Sequence, residues 1–126
     1  FASMLNLKHF ILSEFDSPDS PGSGSQMQPE FLKKLDAARG IANVPFKINS
    51  GFRTAAKNKL EGGKIDSPHL TGWAADIDLP NTGGSRLRLV IVRALIQAGF
   101  NRLGIANGFI HVDCDPTKDK DVIWLY

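Results

Sequence analysis

The stretch Ser67-Pro68-His69-Leu70-Thr71-Gly72-Trp73-Ala74-Ala75-Asp76 constrains this chain more than any other. It sets a histidine and an aspartate seven residues apart and runs on through Asp76-Ile77-Asp78-Leu79, an alternating strand. Successive strand side chains face opposite ways, so Ala74, Asp76 and Asp78 share one face and Ala75, Ile77 and Leu79 the other. Aspartate is disfavoured in strands, and two on one face call for a metal or a water-filled cleft. Downstream, Phe109-Ile110-His111-Val112-Asp113 carries a second histidine in the same alternation. Imidazole and carboxylate are the ligand types that hold a catalytic zinc with its fourth position open, so His69, Asp76 and His111 are the candidate set. On residue types alone, three ordinary polar side chains in a small domain explain the pattern as well, and that reading stays open here.

The rest of the chain supplies the frame. Leu5 to Phe15 has a weak helical tendency, with His9 in it as a partly exposed structural histidine. Residues 16–26, rich in Ser, Pro and Gly, read as a mobile surface loop, with the rim of a cleft as the alternative. Pro29 fits a first helical turn, and Phe31, Leu32, Leu35, Ala38 and Ile41 follow at helical spacing, so residues 29–42 are predicted as an amphipathic helix. Phe46 to Ser50 reads as a short strand leaving through Gly51. Thr54 is a predicted cap for a helix through Lys59, ending at Gly62-Gly63. Arg53 between them presents a planar fork suited to a carboxylate; its position fits a surface salt bridge as well as a substrate contact.

Ser85 is the predicted cap of a helix over residues 86–98, with Gly99 as its stop. Residues 102–106 and 109–114 read as a hairpin about Asn107-Gly108, the preferred pair of the tight hairpin turn. Cys114 falls on the face opposite His111, as a buried structural thiol. Val122 to Tyr126 closes the chain as a strand. The fold class is therefore α+β, a small antiparallel sheet flanked by helices, in a single domain of residues 4–126. Phe1-Ala2-Ser3, ahead of Met4, read as residues added in cloning.

Composition narrows the function classes. A chain of 126 residues with 42% hydrophobic and 22% charged content buries a core of its own. One cysteine excludes an internal disulfide framework. A net charge of +2 and a pI near 8.8 suit an acidic polymer such as a cell wall. No basic run interleaved with aromatics gives a nucleic-acid footprint. No apolar run is long enough to span a membrane, and the N-terminus lacks a secretory signal pattern.

Ser67-x-His69-x-x-Gly72-x-Ala74-x-Asp76, followed by Phe109-Ile110-His111-Val112-Asp113 and preceded by Ser50-Gly51-Phe52-Arg53, resembles the zinc D-Ala-D-Ala carboxypeptidase and L-alanyl-D-glutamate endopeptidase family. The fold of that family is shared with hedgehog signalling domains, and the resemblance runs from about Phe10 to the C-terminus. It implies a zinc ion held by His69, Asp76 and His111, with Arg53, and Ser67 beside it, contacting the wall peptide. It also implies hydrolysis of stem or crosslink peptides of bacterial peptidoglycan by a monomer. The compact form is similar to bacteriophage versions, made in the host cytoplasm and acting at the wall or periplasm.

The chain departs from the family pattern at the acid/base. Many members carry Glu or Asp three residues before the last ligand histidine, and some carry His two before it; here those positions are Gly108 and Phe109. Asp113, on the His111 face by strand period, is the expected acid/base; a carboxylate that supports a ligand or the fold is equally consistent there, and Asp66 and Asp78 are competitors for the acid/base. The same departure favours the alternative function, a zinc-stabilised peptidoglycan-binding or structural domain without turnover.

Overall fold

The structure is a computed structural model and describes residues 5–126; the expected cloning remnant, residues 1–3, lies outside the described residues. Five strands form one sheet in the order β1-β2-β4-β3-β5, with β1 Ile48–Ser50, β2 Ala74–Asp78, β3 Arg102–Ile105, β4 Phe109–Asp113 and β5 Val122–Leu125. Neighbours are antiparallel except β5, which runs parallel to β3 at the edge. Helices α1 (Pro29–Ala42), α2 (Ala55–Leu60) and α3 (Gly84–Gln97) complete the α+β fold.

Strand alternation sorts the sheet into two faces. Ala75 and Ile77 of β2, Ile110 and Val112 of β4 and Leu103 of β3 join Phe31, Leu32 and Leu35 of α1 and Ile91 and Leu95 of α3 in one buried core. The other face carries Asp76, His111 and Asp113, and it is left open for chemistry because both long helices cover the apolar side. Register then sets one row across four pairings: Ser50 opposite Asp76, Asp76 opposite His111, His111 opposite Gly104, and Gly104 opposite Trp124. A Cβ at Gly104 would lie 2.6 Å from Trp124 Nε1 and 2.7 Å from Tyr126, so the glycine lets the edge aromatics lean over the row.

Several local expectations change. The weak N-terminal helix is a single 3-10 turn, Leu12–Phe15, and His9 is exposed. Residues 16–26 form a bonded turn in place of a loose loop: the Asp16 carboxylate accepts from the Gly22 and Gly24 amides at 3.0 and 2.7 Å, and Ser17 and Ser23 are buried. Thr54 caps α2 as predicted, accepting from the Lys57 amide at 3.1 Å. Ser85 does not cap α3; the cap is Gly83 at φ 78°, and Ser85 sits inside the first turn, where its hydroxyl cannot meet an orphan amide from outside the helix. The 102–113 hairpin forms, yet neither Asn107 nor Gly108 takes a positive φ, so its turn is not the mirror-image type that Asn-Gly usually makes. Arg88 Nη2 donates to the carbonyl of Asn107 at 3.2 Å and braces that turn from α3.

Cys114 is half-buried against the core, less enclosed than predicted. Burial pushes its thiol up to about 11, which leaves roughly one thiolate in a thousand at pH 8, against about a quarter for a free cysteine. Alkylation by iodoacetamide at pH 8 is therefore expected to run about a hundredfold slower than for glutathione; a rate within fivefold of glutathione would contradict the burial argument.

Candidate metal centre

His69 reaches the centre from a 3-10 turn, Pro68–Thr71, which Ser67 caps by accepting from the His69 amide at 3.2 Å. Gly72, at φ 78°, ends the turn and steers the chain into β2, which delivers Asp76. His111 stands opposite Asp76 on β4. Candidate ligand atoms of His69, Asp76 and His111 all lie within 4.8 Å of one another, and all three residues are buried. The structure thus brings together the three residues expected as ligands.

Proton placement decides what this cluster can hold. His69 Nδ1 lies 2.7 Å from the Gly51 carbonyl oxygen, which can only accept, so the ring proton is on Nδ1 and Nε2 carries a lone pair. That Nε2 is buried with no hydrogen-bond partner, 3.3 Å from Asp76 Oδ1. His111 Nε2 lies 2.7 Å from Asp113 Oδ2 and its Nδ1 3.0 Å from the same Asp76 Oδ1; with the ring neutral and its proton on Nε2, Nδ1 presents a lone pair there. In that tautomer three lone pairs converge, and buried acceptors left facing one another are costly unless a cation lies between them. A tetrahedral zinc site with bonds of 2.0–2.2 Å has ligand-to-ligand edges of about 3.3 Å, and the 3.0 and 3.3 Å separations match it. The donor set fits zinc.

The charges around the cluster describe its protonated state. Burial alone would raise the Asp76 carboxyl, but protonated His111 and His69 would donate hydrogen bonds and charge that outweigh it and hold the group well below the usual carboxylate range. Burial likewise works to lower the His111 pKa, and Asp113 and Asp76 reverse this and raise it. Protons and a metal compete for this site, as they do wherever neutral imidazoles are ligands.

Arg53 is neither at the surface nor free. Its Nε donates to Ser50 Oγ at 2.9 Å, Nη1 to Asn58 Oδ1 at 3.3 Å, and Nη2 to Asp76 Oδ2 at 3.2 Å, so it steadies the Asp76 carboxylate through the oxygen other than the candidate ligand Oδ1. A guanidinium has five N–H groups, and the remaining two can face the cleft. That cleft, of about 980 Å³, is lined by Arg53, Ser67, His69, Asp76, His111 and Trp124 among others. Lys118 pairs with Asp66 across it at 2.5 Å, joining the loop before His69 to the loop after β4. Asp78, the other competitor for the acid/base, accepts from Asn49 Nδ2 at 2.9 Å.

Asp113 shares the His111 face as expected and stands in the cleft wall, with its carboxylate buried among partners. Its side chain has 0% exposure, with Oδ2 on His111 Nε2 and Oδ1 2.6 Å from Arg102 Nε. Both partners lower its pKa against the opposing effect of burial. Both of its oxygens are thus engaged by side-chain donors or a histidine ring. Arg102 was missed in the sequence, and so was Trp124, whose ring lies 5.1 Å from the Arg102 guanidinium and 5.5 Å from the His111 ring.

The family profile described as Peptidase M15 matches residues 8–113. The chain belongs to that family. The match spans α1, the arginine turn, the His69–Asp76 stretch and β4, so it covers the whole candidate centre. No curated protein matches the chain. M15 proteins are peptidases, and the triad gives this member a candidate metal site of the kind a metallopeptidase needs. Among the described residues no helix is long and apolar enough to cross a membrane.

Proposed function

We propose that the protein is a zinc metallopeptidase that hydrolyses peptide bonds of bacterial peptidoglycan, in stem or crosslink peptides, and serves phage-mediated lysis or penetration of the host wall. The carrying observation is the convergence of His69 Nε2 and His111 Nδ1 on Asp76 Oδ1, at 3.3 and 3.0 Å, in a buried cluster of candidate ligand atoms. A zinc ion held there supplies a Lewis acid for the scissile carbonyl and a water acidified to a pKa of about 7. Arg53 offers its two unused N–H groups to a substrate carboxylate, and Ser67, whose oxygen already accepts from the His69 amide, offers its O–H to the peptide. The cleft volume of about 980 Å³ has room for a short peptide, and the mildly basic chain suits an acidic wall. We assign residues 4–126 to one peptidase domain that acts as a monomer at the wall or periplasm after synthesis in the host cytoplasm.

The second reading, a zinc-stabilised domain that binds wall peptides without turnover, is favoured by one observation: no carboxylate stands at position 108 or 109, and Asp113 is enclosed. One experiment separates the two. Purified cell walls are digested with zinc-loaded protein and the fragments read by mass spectrometry. New peptide termini, with one zinc per chain by elemental analysis, are expected. One zinc with intact walls would select the binding reading, and no zinc would end both.

A further inference from the structure

The Asp113–Arg102 pair on the cleft face plays no part in the chemistry above. It is a carboxylate of 0% exposure held by an arginine of 12% side-chain exposure. Replacing such a pair by apolar residues is often neutral or stabilising, so its presence asks for a reason other than stability. Its contacts supply one. Asp113 Oδ1 receives Arg102 Nε at 2.6 Å and the Asp115 amide at 3.3 Å, two donors that both require an oxygen there. This fixes the carboxylate and points Oδ2 at His111 Nε2, 2.7 Å away. Arg102 is in turn tied to the Asp119 carbonyl and faced by Trp124, which also lies against the His111 ring.

We infer that Asp113 and Arg102 are positioning residues that lock His111 in the tautomer with its proton on Nε2, so that Nδ1 offers its lone pair to the metal. Asp113 therefore acts through His111 and carries no proton in the reaction. The inference rests on the zinc reading for its consequence, but the tautomer itself is a property of the side chains.

An isosteric change reads the lock. In Asp113→Asn the amide oxygen must stay on the side of Arg102 Nε and the Asp115 amide, since an NH2 there would meet two donors. The NH2 then points at His111 Nε2, which becomes an acceptor, and the ring proton moves to Nδ1, away from the form that binds metal. Zinc affinity, measured by competition with a chromophoric chelator, is expected to fall about 10–100-fold. Asp113→Ala leaves the ring free to choose either tautomer and is expected to fall less. A merely structural role predicts the opposite order, with the isostere milder than the truncation. A general-base role predicts native zinc affinity with lost turnover.

Zinc affinity of Asp113→Asn within threefold of wild type, or a larger loss in Asp113→Ala, overturns the inference. If Asp113→Ala does not fold, the comparison of Asp113→Asn with wild type decides alone. Ring 15N spectra of the metal-free proteins, taken at alkaline pH where the imidazole carries one proton, give a reading that needs no metal. Wild type is expected to hold that proton on Nε2 and Asp113→Asn on Nδ1; the same tautomer in both refutes the lock. A wild type that binds no zinc but shows the tautomer change would refute the metal reading and leave the lock standing.

Discussion

Replacing His69 by alanine is expected to leave a folded protein that has lost tight zinc binding and at least about a thousandfold of its peptidase activity, since three protein ligands are the usual minimum of a catalytic zinc site. The fold survives because His69 contributes one hydrogen bond, Nδ1 to the Gly51 carbonyl, worth about 1 kcal/mol, and stands outside the apolar core. The variant also removes one of the opposed lone pairs, since Asp76 Oδ1 then faces only His111 Nδ1. Metal-free His69→Ala should therefore unfold at nearly the wild-type temperature, while the stabilisation that zinc gives the wild type is absent from it. Thermal unfolding with and without zinc, alongside digestion of cell walls, checks both halves. Unchanged activity would sink the metallopeptidase assignment, and collapse of the metal-free fold would show that His69 is structural.

The candidate metal cluster was legible because it depends on local rules. Strand alternation alone put Asp76 and His111 on the face away from Ile77 and Ile110, and the sheet pairs them as neighbours. The hairpin was equally readable. A two-residue turn at Asn107-Gly108 pairs Ala106 with Phe109, and counting outward sets Gly104 against His111 and Arg102 against Asp113. That count would have found Arg102 as the partner of Asp113, the pair that the structure closes at 2.6 Å. What could not be counted is nonlocal. Trp124 reaches His111 because β5 returns parallel to β3, and no turn residue specifies that pairing. Arg53 reads as an exposed arginine from its turn; only the packing of that turn beside β2 puts it 3.2 Å from Asp76 Oδ2. The Ser85 cap failed because Gly83 reaches a left-handed φ cheaply and starts the helix earlier.

Gly72→Ala is expected to be the most damaging single methyl in the chain's central stretch. Gly72 sits at φ 78°, where an L-residue costs about 1–2 kcal/mol. Its Cβ would also overlap the Gln26 carbonyl oxygen and lie 2.9 Å from Met27 Cα, both backbone atoms that cannot rotate aside. Overpacking of this kind adds about 1–3 kcal/mol, for a total of about 3 kcal/mol and a fall in melting temperature of roughly 10 °C. Gly62 provides the control: it has nearly the same φ, 70°, with nothing within 4 Å of its Cβ position, so Gly62→Ala pays the backbone term alone. Asparagine tolerates the left-handed region but brings the same Cβ, so Gly72→Asn is not expected to rescue the fold. The damage also reaches the metal. Gly72 accepts from the Gln28 amide at 3.0 Å and so pins the His69 turn to the start of α1. Displacing that anchor moves His69 against Asp76, whose position β2 fixes independently, and zinc affinity should fall together with stability. A Gly72→Ala variant as stable as Gly62→Ala would mean that the turn yields without cost, and that the distance between these two ligands is set elsewhere.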